Sequence, residues 1–183
     1  IAAQDPIHYF VVGADEWRSA KQWPLPEEVP TPFALTAKGL NGKGSLNQSF
    51  AVDYATTCKD GGFGPFMQPC HNNGHGLSLA AAPLKFVTEY TGHGIADIWI
   101  SAPTPDANLF LYVEDVAPDG TVRVVTEGRL KAKVRKTATA PWVLPNIPWH
   151  RSYAEDAQDL APNAPAQMVF DIMPTSWVFK KGH

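Results

Sequence analysis

The strongest constraint on the fold is a run of alternating side chains at residues 122–134. Apolar or small residues stand two positions apart in this run, and charged residues fill most of the positions between them: Val122, Val124, Thr126, Gly128, Leu130, Ala132 and Val134 alternate with Arg123, Glu127, Arg129, Lys131 and Lys133. Successive side chains of a β-strand point to opposite faces. The pattern therefore predicts one long strand with a buried face and a solvent face.

The residues just before this strand predict a hairpin. Leu109–Val116 is apolar on both faces toward its middle, so we expect a second strand that lies deeper in the protein. The sequence Ala-Pro-Asp-Gly separates the two strands at residues 117–120. Proline presets the first dihedral angle of a turn, and glycine adopts the left-handed conformation that closes it. The pair of strands predicts an antiparallel sheet.

Short apolar runs elsewhere predict further strands at Ile7–Val12, Phe33–Leu35 and Gln167–Ile172, the last followed by a turn near Pro174. The chain has 17 prolines in 183 residues, and most of them lie between the apolar runs. Proline disrupts helix interiors, so this spacing favours short strands joined by stiff loops. We therefore predict an all-β fold in which four tryptophans lie in irregular, proline-rich connectors: Trp17, Trp23, Trp142 and Trp149.

The composition limits the classes of partner. The chain is 44% hydrophobic and 18% charged, which is enough apolar material for a packed core. Its net charge of -3 comes without a basic stripe, so we do not expect a nucleic-acid partner. No apolar run approaches the roughly 20 residues that a membrane-spanning helix needs. The chain opens at Ile1 without a signal peptide, and we expect it to be part of a longer protein.

A long glycine-rich loop at residues 54–79 contains the two cysteines, Cys58 and Cys70, followed by His71 and His75. Three interpretations remain open. The cysteines could form a disulfide that contributes about 3 kcal/mol in an oxidising compartment. They could instead bind a metal together with the histidines, although structural zinc sites usually space paired cysteines more closely. The four residues could also share no role.

The same loop carries Phe63, Phe66 and Met67. Long loops inside compact domains are usually functional or lie at an interface. Apolar side chains on such a loop need another surface to cover them. These three residues therefore mark the loop as a contact region.

No catalytic motif is evident. A hydrolase nucleophile is expected in the pattern Gly-x-Ser-x-Gly, and the nearest match, at residues 42–46, has Leu46 in place of the last glycine. Glu114 and Asp115 are adjacent on a predicted strand and point to opposite faces, so they cannot share a proton. We predict no catalytic residue, no metal and no cofactor in this chain.

Three groups of residues, in a fixed order, carry a family resemblance. The first is the sequence around a Trp-Arg pair, the second is Thr91-Gly92 with the turn at residues 115–120, and the third ends the chain. The first and third groups are Gly13, Glu16, Trp17, Arg18, Trp23 and Pro24, then Pro174, Thr175, Ser176, Phe179, Gly182 and His183. With these residues the chain resembles, over nearly its whole length, the C-terminal domain of the CocE/NonD hydrolases. Members of this family include esterases, acylases and Xaa-Pro dipeptidyl-peptidases.

The resemblance implies a single antiparallel β-sandwich domain over residues 1–183, of jelly-roll, galactose-binding-like type. Residues 1–35 would form its first strand and a proline-rich connector, and the domain would be incomplete at its C-terminal end. The resemblance also implies an α/β-hydrolase domain upstream of residue 1 that carries the Ser-Asp-His triad. The loop from about Cys58 to Leu79 would help to wall the substrate pocket, with Phe63, Phe66 and Met67 as wall residues.

Two functional hypotheses follow. In the first, the chain is the non-catalytic domain of a serine hydrolase for ester, amide or peptide substrates, and the four tryptophans anchor it to the catalytic domain. In the second, it is an independent carbohydrate- or ligand-binding module, because one fold can host many functions. A sugar binder would gather its aromatic residues on one surface, so their scatter favours the first hypothesis. Either hypothesis is compatible with a homo-oligomer and with a cytoplasmic or a secreted protein.

Overall fold

The computed structural model describes residues 5–55, 76–142 and 146–183. Across these ranges the regular structure consists of β-strands and two short 3-10 turns, at Ala132–Val134 and Ala154–Asp156. The strands, in chain order, are β1 (Ile7–Val11), β2 (Glu16–Ala20), β3 (Leu35–Thr36), β4 (Gly39–Leu40), β5 (Thr88–Ile100), β6 (Asn108–Val116), β7 (Val122–Lys131) and β8 (Ala166–Phe179). No helix in the described ranges is long and apolar enough to cross a membrane.

The strands form four antiparallel pairs: β1 with β2, β3 with β4, β5 with β8, and β6 with β7. The β5–β8 ladder is the longest and runs from the pair Thr88 and Phe179 to the pair Ile100 and Ala166. The prediction of a mostly β, antiparallel fold is confirmed at this level.

The β5–β8 ladder packs on β7 through a shared apolar core. Phe170 and Met168 of β8 are fully buried, and Ala96 of β5 and Leu130 of β7 lie in the same cluster. Partly buried residues of β5 and β6 complete the packing from both sides: Ile98, Ile100, Leu109 and Leu111. The alternation of these residues along their strands places every second side chain in the core.

The small residue Gly128 lies where β7 comes close to the backbone of β8. A Cβ atom at this position would lie 2.7 Å from the carbonyl oxygen of Asp171 and 3.0 Å from Cε2 of Phe170. No ordinary side chain fits in that space. Gly128 therefore belongs to the buried face for steric reasons.

The predicted hairpin is confirmed as β6 and β7. Gly120, with φ of 85°, donates its N–H to the carbonyl oxygen of Ala117 at 2.9 Å and closes the turn. The predicted strand over residues 122–134 ends earlier, at Lys131. Ala132 still donates its N–H to the carbonyl of Ala107, which lies opposite it in the register, at 2.7 Å. The backbone then leaves the ladder, because the next N–H, that of Lys133, donates to the Asp106 carboxylate at 3.0 Å and residues 132–134 form a 3-10 turn.

The predicted end of the last strand is wrong. We expected a strand over Gln167–Ile172 and then a turn, whereas β8 continues without interruption to Phe179. Gly92 pairs with Thr175 and Gly94 with Ile172, so that two residues of β8, one of them Pro174, lie opposite a single residue of β5. This is a β-bulge, and a bulge accommodates a proline because the ladder needs no N–H there.

The prediction of an irregular connector around Trp17 is also wrong. Trp17 lies in β2, which pairs along the whole of β1. The turn between them is closed by a hydrogen bond from Asp15 N–H to the Val11 carbonyl at 2.8 Å. The prolines of the connector begin only at Pro24, beyond the end of β2, so they do not disrupt this strand. The small strand predicted at Phe33–Leu35 is shifted to β3.

We predict that Gly128→Ala destabilises the protein by about 1–3 kcal/mol, because the added methyl group would overlap the backbone of β8. The midpoint of chemical denaturation, followed by tryptophan fluorescence, measures the change. Gly76→Ala is the matched control, since a Cβ atom at Gly76 meets nothing within 4 Å. Equal midpoints for the two variants would contradict the close packing of β7 on β8.

Candidate functional site

The β1–β2 hairpin presents an exposed aromatic pair, Phe10 and Trp17, which we call the hairpin face. The two residues are direct partners in the strand register. Their ring centroids lie 5.6 Å apart in an edge-to-face arrangement, and 73% of Trp17 is exposed. Edge-to-face pairs hold each other's orientation. The hairpin face is therefore an ordered apolar surface.

Trp23 is half-buried and lies against Tyr9 of β1. Its ring centroid is 6.0 Å from that of Tyr9 and 6.0 Å from that of His93 at the β5 bulge. The indole Nε1–H donates a hydrogen bond to Nδ1 of His93 at 3.3 Å. Trp23 therefore connects the first hairpin to the bulge of the β5–β8 ladder.

A shallow groove of about 300 Å³ joins these two features. Its walls are aromatic on the β1 side and polar or small on the β8 side: Tyr9, Phe10, Val12, Trp23, Pro174, Thr175 and Ser176. Val12 joins the two sides, because its N–H donates to the carbonyl oxygen of Ser176 at 3.0 Å and its own carbonyl accepts from the N–H of Val178 at 2.9 Å. Trp23 thus lines the groove directly, whereas Trp17 is connected to it only through its partner Phe10.

Trp142 and Trp149 form a second aromatic pair, with ring centroids 5.2 Å apart. His150 follows this pair, and its Nε2 lies 3.0 Å from the carbonyl oxygen of Val169. Val169 and Ser176 are seven positions apart on β8, so they are separated by on the order of 20 Å along a strand. The four predicted anchors consequently form two separate patches, toward opposite ends of β8.

The connector that carries the second pair is anchored by a buried carboxylate. Asp156 is only 3% exposed and accepts hydrogen bonds from Nε of Arg151 at 2.6 Å and from Nζ of Lys136 at 2.7 Å. The hydrogen bond from Arg151, followed by that from Lys136, lowers the pKa of Asp156 to about 2. The carboxylate therefore stays ionised and ties the two ends of the connector together.

A second buried carboxylate, Asp115, lies at the end of β6. Its Oδ2 accepts from Nε1–H of Trp177 at 3.0 Å, and its Oδ1 lies 2.7 Å from Nδ1 of His183. These residues line a cavity of about 390 Å³ together with Arg123 and Lys180. The backbone of His183 is fixed as well, since its carbonyl accepts from Leu84 N–H at 2.8 Å.

The Asp115–His183 pair has the residue types of a catalytic dyad, but its geometry is that of an anchor. Both carboxylate oxygens are already occupied. The hydroxyl of Ser176, which precedes Trp177 on β8, is hydrogen-bonded to that of Thr91 at 2.6 Å instead. Sequence reasoning did not identify this pair. The available signal was that Asp115 and His183 both stand in the motifs that carry the family resemblance.

Several predicted site residues lie outside the described residues. These are the cysteines and the apolar residues of the long loop with their neighbouring histidines: Cys58, Phe63, Phe66, Met67, Cys70, His71 and His75. The disulfide, the metal alternative and the pocket wall therefore stay predictions. Among the residues that are described, no three His, Cys, Asp or Glu side chains are grouped so as to hold a metal ion.

Comparison with known proteins gives one consistent family. Residues 2–183 match the family described as the X-Pro dipeptidyl-peptidase C-terminal non-catalytic domain. A protein of Mycobacterium bovis, named as a candidate serine esterase, is 30% identical over 198 residues, and cocaine esterase of a Rhodococcus species is 26% identical over 206 residues. Both alignments include 100% of this chain but only 32% and 33% of those proteins, so the chain spans about a third of their length.

A solved structure gives the same result for the fold. A CocE/NonD family hydrolase from Staphylococcus aureus superposes with a TM-score of 0.62 at 17% sequence identity. The superposition covers 96% of this chain and 31% of that hydrolase. At 17% identity, this similarity shows a shared fold and nothing further.

We predict that Asp115→Ala destabilises the protein by about 1–3 kcal/mol, because the indole N–H of Trp177 and the ring N–H of His183 lose their buried acceptor. Trp177→Phe, which removes one donor and leaves the carboxylate bonded to His183, should cost less. Urea denaturation of both single variants and of the double variant measures the coupling between the two residues. Strictly additive effects would contradict the anchor.

We predict that acid weakens the protein partly through Asp156. The folded pKa, about 2, is below the ordinary value of about 4, so the stabilisation is fully present above pH 4 and is lost as the pH falls from 4 to 2. Asp156→Asn should be less stable than the wild type at neutral pH and should lose less stability across this interval. Denaturation midpoints measured at several pH values test this. Parallel pH profiles would show that Asp156 is not ion-paired in the folded protein.

Proposed function

Because the chain belongs to the family of X-Pro dipeptidyl-peptidase C-terminal non-catalytic domains, we propose that it is the accessory domain of a serine hydrolase for ester or amide bonds. This membership confirms the resemblance to the CocE/NonD hydrolases that the sequence motifs indicate. The Ser-Asp-His triad would lie in an α/β-hydrolase domain upstream of residue 1. One observation carries the proposal: the alignments include 100% of this chain but only about a third of the length of each relative.

The complete domain in this proposal is a jelly-roll, galactose-binding-like β-sandwich. Two features of the structure support it. The β5–β8 and β6–β7 ladders are antiparallel and enclose one apolar core. In addition, β7 packs on β8 across that core, and the two strands come close together at Gly128.

The proposed role is to bury apolar surface of the catalytic domain and to shape the mouth of its active site. The hairpin face supports this role, because Trp17 is 73% exposed and is held in place by Phe10. Exposed aromatic residues of this kind commonly anchor protein interfaces. Trp23, Trp142 and Trp149 remain proposed anchors, and Phe63, Phe66 and Met67 remain proposed wall residues.

The chemistry of the described residues fits a non-catalytic domain. The Asp115–His183 pair binds the end of the chain to the β6–β7 hairpin and to Trp177. The ionised Asp156 pairs with Lys136 and Arg151 and so joins the two ends of the connector. Both buried carboxylates therefore have structural partners, and the substrate would be held mainly by the catalytic domain.

We predict that the 183-residue chain alone does not hydrolyse p-nitrophenyl esters above the buffer rate, whereas the full-length polypeptide does. A fluorophosphonate probe, which labels activated serines, should label only the full-length protein. Mutation of the serine in its Gly-x-Ser-x-Gly motif to alanine is the control that assigns the activity to the upstream domain.

Labelling or ester hydrolysis by the isolated chain would refute the non-catalytic assignment. Retention of the isolated chain on a glycan array, with saturable binding to defined sugars, would instead favour the independent carbohydrate-binding module.

A further inference from the structure

The extended arm, which we define as residues 29–55, follows the first hairpin and includes the first two residues of the long loop. Apart from the two-residue strands β3 and β4 it has little regular structure, and residues 45–53 have none. We propose that the extended arm is the main surface through which this domain contacts its catalytic domain. This inference rests on the proposed function and adds to it the segment that makes the contact.

The composition of the extended arm is unlike that of a solvated linker. Only Lys38, Lys43 and Asp53 are charged among its 27 residues. Flexible linkers are rich in glycine, serine or charge and carry few large apolar side chains. The arm instead ends in the pattern Phe50, Val52 and Tyr54, in which apolar residues alternate as they do along one face of a strand.

The apolar side chains of the extended arm are exposed in the isolated domain. Tyr54 is 96% exposed, Val52 is 65% and Phe50 is 50%. Val29 and Phe33, near the start of the arm, are 78% and 55% exposed. An exposed apolar stretch of this length marks a site that another surface covers.

The arm is nevertheless attached at its middle. Leu40 of β4 donates its N–H to the carbonyl oxygen of Ala80 at 3.0 Å, and a Cβ atom at Gly39 would lie 2.2 Å from the same oxygen. The side chain of Asn41 accepts from Ala34 N–H at 2.8 Å and closes the small hairpin. Residues 34–41 therefore attach the arm to the segment that precedes β5, and its apolar parts lie on either side of this attachment.

The occupant that fits this surface is the remaining part of the same polypeptide. The relatives are about three times as long as this chain, and the family to which it belongs is defined as a non-catalytic domain. A covalently linked partner is present at a high effective concentration, so an apolar and nearly uncharged contact can form without charge steering. A second copy of the chain and bulk solvent are the alternatives to be tested.

Hydroxyl-radical footprinting of the full-length protein tests the inference directly. Phe50 and Tyr54 should be oxidised several-fold more slowly than Phe110 and Trp99, which are 56% and 63% exposed on the two ladders and serve as internal references. The measurement is repeated at two protein concentrations. Protection of the arm that is independent of concentration supports contact with the same polypeptide.

The alternatives give different results. Protection that disappears on dilution would assign the extended arm to a second copy and overturn the inference. Fast oxidation of the arm together with protection of Phe10 and Trp17 would also overturn it, but would leave the proposed function intact. Fast oxidation of all these residues in a full-length protein that lacks esterase activity would refute both.

A pair of variants gives an independent test. Replacement of Phe50 and Tyr54 by serine in the full-length protein should accelerate proteolysis within residues 45–55 by about tenfold, since loss of interface anchors opens the contact. Replacement of Trp99 and Phe110 by serine is the matched control and should leave this rate unchanged. Equal proteolysis of the two variants would overturn the inference.

Discussion

The pairing of β5 with β8 joins residues that are far apart in the sequence, and three other parts of the described fold are attached to it. β7 packs on β8 at Gly128, and the first hairpin joins β8 through Val12. The connector that carries Trp142 and Trp149 contacts β8 through the ring of His150, which lies 3.0 Å from the carbonyl oxygen of Val169. Contacts between distant residues carry a large loss of chain entropy. The apolar core around Phe170 offsets that cost, so the ladder and the core stabilise each other.

The bulge in this ladder has a second role, because it sets the register of β8. Met173 and Pro174 lie opposite His93, and the side chains on either side of them keep their faces. A shift by one residue would bring the buried Phe170 to the solvent face. It would also place Pro174, which lacks an N–H, at a position where the ladder needs a donor. The same bulge brings His93 to Trp23, so the register of the core also positions the groove.

Local patterns predicted the parts of the fold that depend on neighbours in the sequence. The β6–β7 hairpin follows from alternation and from the turn at residues 117–120, and the structure confirms both. The continuation of β8 past Pro174 could not be predicted, because it depends on the bulge opposite β5 about eighty residues earlier. The strand around Trp17 likewise depends on its pairing with β1, for which the local sequence gives only a weak signal.

The candidate site shows the same limit. The exposed tryptophans could be named as anchors from their residue type, but their separation into two patches depends on the length of β8. Asp115 and His183 are 68 residues apart, and only the folded chain shows that they meet. Their presence in the family motifs was a signal of importance without an indication of role.

The pairing of β5 with β8 also determines when this domain can fold during synthesis. The ribosome releases the chain from its N-terminal end, and domains generally fold as units in that order. Ala96 and its neighbours on β5 cannot be buried until β8, Ala166–Phe179, has also emerged from the ribosome. The core therefore closes late, after the residues of the first hairpin and of the extended arm have left the ribosome. If the proposed catalytic domain lies upstream, it leaves the ribosome first, and this domain would then fold beside it.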